Sequence, residues 1–129
     1  MKKYKYKNYE TCVGLELLSF LESAVVSKAP GAVSPLSAYL WLLEKQAERV
    51  EKTEVHSLMP FKIETSEIAE NWKCSVRSAR NFLHNLKERN AISLQKNGSR
   101  ISIMVRNFAD SDNEILYPEE NSKTTSSAI

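Results

Sequence analysis

Asn97-Gly98 is the feature of this sequence that most constrains its fold. An Asn-Gly pair between two alternating runs is the strongest short-range signal for a β-hairpin, because both residues accept the positive φ of a two-residue turn. Centred on that pair, the turn sets Lys96 opposite Ser99. Counting outward, Gln95 faces Arg100, Leu94 faces Ile101, Ser93 faces Ser102 and Ile92 faces Ile103. Apolar residues then meet apolar partners on one side of the ribbon, and polar residues meet polar partners on the other. Turn chemistry and side-chain pattern agree independently.

Upstream of the hairpin the apolar residues recur at helical spacing. Val13, Leu17, Leu18, Leu21, Ala24 and Val25 predict a helix over residues 9–27, and KAPGAV (residues 28–33) ends it. Ser34-Pro35 opens a second helix: Ser caps free N–H groups, and Pro suits the first helical position, where its missing donor costs nothing. Leu36, Leu40, Leu43, Ala47 and Val50 form its stripe, and Tyr39, Trp41 and Leu42 widen it. Such a helix needs cover on two sides, from the core and from either the first helix or a second subunit. Residues 51–57 read as a loop, and residues 59–63 as an edge strand with Pro60 near its start. Thr65 is expected to cap a short helix from Ser66 to about Trp72. Ser75 is expected to cap a longer one from Val76 to Arg89, with Ala79, Phe82, Leu83 and Leu86 facing inward. Asn90 stands where a left-handed residue stops a helix.

Charge is divided unevenly along the 129 residues. Residues 1–71 carry nine Lys or Arg and ten acids. Residues 72–108 carry eight and one, and residues 109–129 carry one and five. The formal net charge of +2 thus hides a basic block of +7 and an acidic tail of −4. Cys12 and Cys74 show no metal-ligand spacing, which fits a reducing cytoplasm. The start, MKKYKYKNYE, resembles the basic end of a signal peptide, but Glu16 and Glu22 break the apolar stretch behind it. No apolar run approaches the ~18 residues of a membrane span. No nucleophile–base pair or metal set stands out, so neither an enzyme nor a cofactor nor a small-molecule substrate is expected. Glu64, Glu67 and Glu70 suit the positive end of a helix. Tyr39, Trp41, Trp72 and Cys74 read as core. His56 and His84 lack partners at metal spacing.

A short helix, a tight turn, a longer basic helix and an Asn-Gly hairpin follow one another. That order, carried by TSEIAENWKCSVRSARNFLHNLKERNAI, resembles the winged helix-turn-helix superfamily. The pattern comprises a small polar cap, the Ile68-Ala69 pair, a turn, Ser75 opening the second helix, Leu83 and Leu86, and a final Ile92. Lys73 and Asn90 stand where that family usually has Gly. Lys73 in a left-handed turn would cost on the order of 1 kcal/mol. The longer arrangement is similar to modules of phage and plasmid replication or regulatory proteins.

The expected fold class is therefore mainly α with a small β-hairpin: a winged helix-turn-helix with an additional N-terminal helix. Residues 1–8 are expected to be a basic flexible arm, 9–33 the N-terminal helix and linker, 34–108 the winged domain, and 109–129 an acidic disordered tail.

The resemblance implies double-stranded DNA as partner. The N-terminal part of the second helix would enter the major groove, where Arg bonds guanine and Asn bonds adenine in bidentate fashion. Arg77, Ser78 and Asn81 are then the base-reading candidates. Ser66, Lys73, Ser75, Arg80, His84, Lys96 and Arg100 are the phosphate candidates, with Lys96 and Arg100 on the wing. The implied role is regulation of transcription, or of replication of a mobile element, in the cytoplasm. A homodimer through the N-terminal helices would add two half-sites, and exposed Val13, Phe20 and Val26 would be its mark. The alternative is an interaction module whose basic face meets an acidic protein. The plain reading of the same charges is a solvated helix face, but one acid among nine charges departs from the mixed signs such a face shows.

Overall fold

The computed structural model describes residues 2–52 and 58–110. Among them are six strands, β1 (Lys2–Tyr6), β2 (Tyr9–Val13), β3 (Phe61–Glu64), β4 (Ile92–Asn97), β5 (Arg100–Val105) and β6 (Phe108–Asp110), and four helices, α1 (Leu15–Ser23), α2 (Pro35–Glu51), α3 (Thr65–Trp72) and α4 (Val76–Glu88). They form two three-stranded antiparallel sheets, in the orders β1-β2-β6 and β3-β5-β4. The expectation of a mainly α chain with one small hairpin is thereby corrected.

The first sheet accounts for most of that correction. The expected flexible arm, residues 1–8, contains β1, which pairs Tyr4 with Thr11 and Tyr6 with Tyr9. Its sequence KKYKY alternates, so Tyr4 and Tyr6 turn half-buried toward the core while Lys3 and Lys5 stay exposed. The expected helix from Tyr9 is likewise a strand as far as Val13. Tyr9, Thr11 and Val13 face inward there, a β-branched and aromatic set that suits a pleated surface. Gly14 then caps α1. Ala109 and Asp110, assigned to the acidic tail, belong to β6 and pair with Glu10 and Tyr9. The rest of that tail, residues 111–129, lies outside the described residues, as does most of the expected loop over residues 51–57. Glu51 itself ends α2.

The second hairpin forms with a different register. Asn97 pairs with Arg100, Lys96 with Ile101, Leu94 with Ile103 and Ile92 with Val105. The central turn residues are Gly98 and Ser99, and of the two only Gly98 has positive φ (63°). That is the pattern of a turn with Gly at its first central position, in place of the expected Asn-Gly turn. The pairing slips by two residues, which leaves every side chain on its expected face. The slip sets Ile92 against Val105, both buried. It also lets β3 add Phe61 opposite Ile103 and Ile63 opposite Ile101.

α2 threads the core. The Ser34 hydroxyl accepts the Ser37 N–H, and Pro35 occupies the first turn. Its fully buried line is Ala38, Tyr39, Leu42, Leu43, Gln46, Ala47 and Val50, while Leu36, Leu40 and Trp41 are half-buried. Both sides of the helix are covered from within the chain, by α1, β1 and β2 and by β3 and β5. Val13 and Val26 are buried, and Phe20 stacks on Phe82 at 5.8 Å. The exposure that would have marked a subunit interface is therefore missing at Val13 and Val26, while Phe20 is half-buried against Phe82. An aromatic chain ties the helices together: Trp41 meets Trp72 edge-on at 5.9 Å, Trp72 meets Phe82 at 5.6 Å, and Phe82 meets Phe20.

Two polar links join the sheets to α2. Gln46, fully buried, donates from Nε2 to the Met59 carbonyl at 2.7 Å and accepts the Val105 N–H at 2.9 Å. Thr11 lies 3.2 Å from the Tyr39 hydroxyl and donates to the Arg106 carbonyl at 3.0 Å. Burial raises the Tyr39 phenol above its ordinary value, against a smaller opposite effect from Thr11.

Candidate nucleic-acid interface

The α3–α4 pair is joined by three residues, Lys73-Cys74-Ser75. Lys73 adopts the left-handed conformation (φ 56°, ψ 47°). Its N–H donates to the Glu70 carbonyl at 3.3 Å, and the Cys74 N–H donates to Ala69 at 3.0 Å. This is the reciprocal pair of bonds that closes a helix with one left-handed residue. The end of α4 repeats it: Asn90 (φ 60°) donates to Lys87 at 3.0 Å and Ala91 to Leu86 at 2.9 Å. Lys and Asn thus fill the two places where Gly was looked for.

Ser75 opens α4 by accepting the Ser78 N–H at 3.1 Å, and its own hydroxyl donates to the Ser78 hydroxyl at 3.1 Å. Ser78, half-buried, is therefore part of the cap, and Ser75 is occupied with it. For α3 the cap is Glu64, not Thr65, which is buried inside the first turn. Ser66 sits exposed there beside Glu67 and near Glu64, acidic company for a phosphate contact.

One face of α4 is buried through Ala79, Phe82, Leu83 and Leu86. The other exposes Arg77, Arg80, Asn81 and His84, at i, i+3, i+4 and i+7. Arg80, His84 and Lys87 then line a groove of about 140 Å³ between α4 and the hairpin. Lys96 of β4 closes its far side, and Leu83, Leu94 and Ile101 make the floor. Lys96 reaches this groove because it shares a face with Leu94 and Ile92. Lys87 was missed in the sequence, although it lies seven residues after Arg80 and three after His84, on the same face.

Arg100 does not join this cluster. It pairs with Glu64 across β3–β5, on the face opposite Ile101. Lys73, exposed, lies in the turn before α4. Among the described residues the ion pairs are Lys3–Glu10, Lys5–Glu10 and Lys45–Glu48, so no carboxylate lies within 4.0 Å of the α4 or hairpin cations. Arg89 is held inward: its Cζ lies 3.9 Å over the Phe20 ring and Nη1 donates to the carbonyl and Oδ1 of Asn85, both at 3.2 Å. Cys74 is half-buried, and burial raises its thiol above the ordinary value.

His56 falls outside the described residues. Among the described residues no cluster of three His, Cys, Asp or Glu side chains could hold a metal, and no helix is long and apolar enough to cross a membrane. The chain matches no family model, no curated protein and no solved structure.

Proposed function

We propose that the protein binds double-stranded DNA through the exposed face of α4 and the near face of the β4–β5 hairpin. The observation that carries this reading is the grouping of Arg77, Arg80, His84, Lys87 and Lys96 along one helix-hairpin surface with no carboxylate partner among the described residues. An unpaired basic surface is what counterion release from phosphates rewards. Arg77 and Asn81, nearest the start of α4 and free of side-chain partners among the described residues, are the base-reading pair. Arg80, His84, Lys87 and Lys96 hold phosphates. The sequence resemblance to winged helix-turn-helix regulators supports a role in transcription control, or in replication of a mobile element, as part of this proposal.

Binding to random duplexes at graded salt, followed by selection of bound sequences, tests this. Arg77→Ala should lose roughly 1–3 kcal/mol on the selected site and relax its sequence preference. Equal binding of selected and scrambled duplexes by variant and wild type would remove Arg77 from the reading. A second reading, an acidic protein partner, has one observation in its favour: the apolar floor of Leu83, Leu94 and Ile101 beneath the cationic rim. A salt-insensitive, negligible affinity for DNA alongside saturable binding of an acidic peptide would favour it.

A further inference from the structure

A second cavity, of about 190 Å³, lies away from the α4–hairpin groove. Its walls come from three places: β2 and the start of α1, the second turn of α2, and the segment closing α4 together with the β5–β6 joint. Tyr39, Leu17 and Ala91 supply its less polar lining. Arg89, Arg106 and Glu16 also line it, two cationic residues to one acidic one. Among the described residues neither guanidinium has a carboxylate within 4.0 Å.

Arg89 is already oriented. The Phe20 ring and the two bonds to Asn85 fix its plane and use only Nη1. Of the five N–H donors a guanidinium carries, the three on Nε and Nη2 remain without a partner among the described residues. A half-buried, pre-oriented cation with spare donors beside an apolar wall is the arrangement that takes a carboxylate in fork geometry. The cavity is smaller than the ~300 Å³ at which drug-sized sites begin.

We propose that this cavity binds a small organic monocarboxylate. Its carboxylate meets Arg89 and Arg106, and its apolar body lies against Tyr39 and Leu17. The site is independent of the DNA reading, because its residues are not those of the α4–hairpin groove.

Calorimetry on the full chain tests it with acetate, butyrate and benzoate, and with benzamide and benzylamine as uncharged and cationic shapes. One-to-one saturable binding is expected for at least one of the acids, with benzamide and benzylamine roughly tenfold weaker or worse than benzoate. Arg106→Gln, at an exposed side chain whose backbone bonds to Thr11 and Ala91 are kept, should weaken the acid by a similar factor with its thermal melt unchanged. Arg89→Gln should do the same and provides a second check. Failure of all three acids to saturate would overturn the proposal. So would benzamide or benzylamine matching benzoate, or acid binding by Arg106→Gln equal to that of the wild type.

Discussion

Lys96 and Arg100 leave the same hairpin from opposite faces. Lys96 turns toward α4 and its groove, while Arg100 stands beside Glu64 on the outer side of the β3–β5 pair. Two cations that look equivalent as wing residues in the sequence therefore have different neighbours. Lys96→Ala should weaken all duplexes alike and lower the salt slope by ~1. Arg100→Ala should leave both almost unchanged. Parallel salt titrations of the two variants check this, and equal losses would mean that DNA wraps around the hairpin tip.

Lys73 combines a strained backbone with an exposed charge. Its left-handed conformation costs on the order of 1 kcal/mol, which glycine would relieve at a similar entropic cost in the unfolded chain. Lys73→Gly should therefore unfold in urea within about 0.5 kcal/mol of the wild type, yet bind DNA more weakly at low salt. A large loss of stability would mean that the lysine side chain supports the turn.

Gln46 bonds both the Met59 carbonyl and the Val105 N–H, and among the described residues no other side chain does so. Gln46→Ala would leave the buried Val105 N–H and the half-buried Met59 carbonyl unpaired, at about 2–4 kcal/mol. Urea unfolding measures it. A loss below about 1 kcal/mol would show that water takes over both bonds.

Tyr39 gives a pH dependence of definite sign. Burial raises its phenol above 10.0, so the folded chain holds the proton after the unfolded chain has released it. The stability this represents is complete below pH 10 and is lost as pH rises toward the folded value. Tyr39→Phe loses the contact with Thr11, about 1 kcal/mol at neutral pH, but has no phenol to ionise. The gap between wild type and variant should narrow above about pH 10. A gap that stays constant there would contradict the burial of the hydroxyl.

Local sequence reads some of this structure and is silent on the rest for physical reasons. α4 was legible because one amphipathic helix carries its own cap, stripe and stop within the sixteen residues from Ser75 to Asn90. The hairpin was legible in its faces but not in its register, since a slip of two preserves the alternation that identified it. Only the choice between Asn97-Gly98 and Gly98-Ser99 as turn centre separates the two, and the partners that decide it, Phe61 and Ile63, lie some forty residues away. β1 was in plain view as alternating Lys and Tyr, but its charge pointed to a solvated arm. β2 was hidden because Val13 falls four residues before Leu17, a spacing that a helix shares. Three-residue β6 has no local signature at all and exists through β2. In the candidate site, the free face of α4 was readable from phase alone. The occupation of Ser78 by the cap and the separation of Arg100 from Lys96 depend on neighbours that sequence spacing does not reveal.

The Thr11 hydroxyl meets the Arg106 carbonyl across 95 residues, and β6 completes the sheet that β2 began. As the chain leaves the ribosome, β2 emerges early and must wait for almost the whole of the described chain to be synthesised. Until then its inner face, Tyr9, Thr11 and Val13, has β1 and the neighbouring helices but not Phe108. Closing so long a loop is also the slowest kind of contact to form. The α4–hairpin unit, built from near neighbours, can assemble first, and the joining of the two ends then completes the molecule.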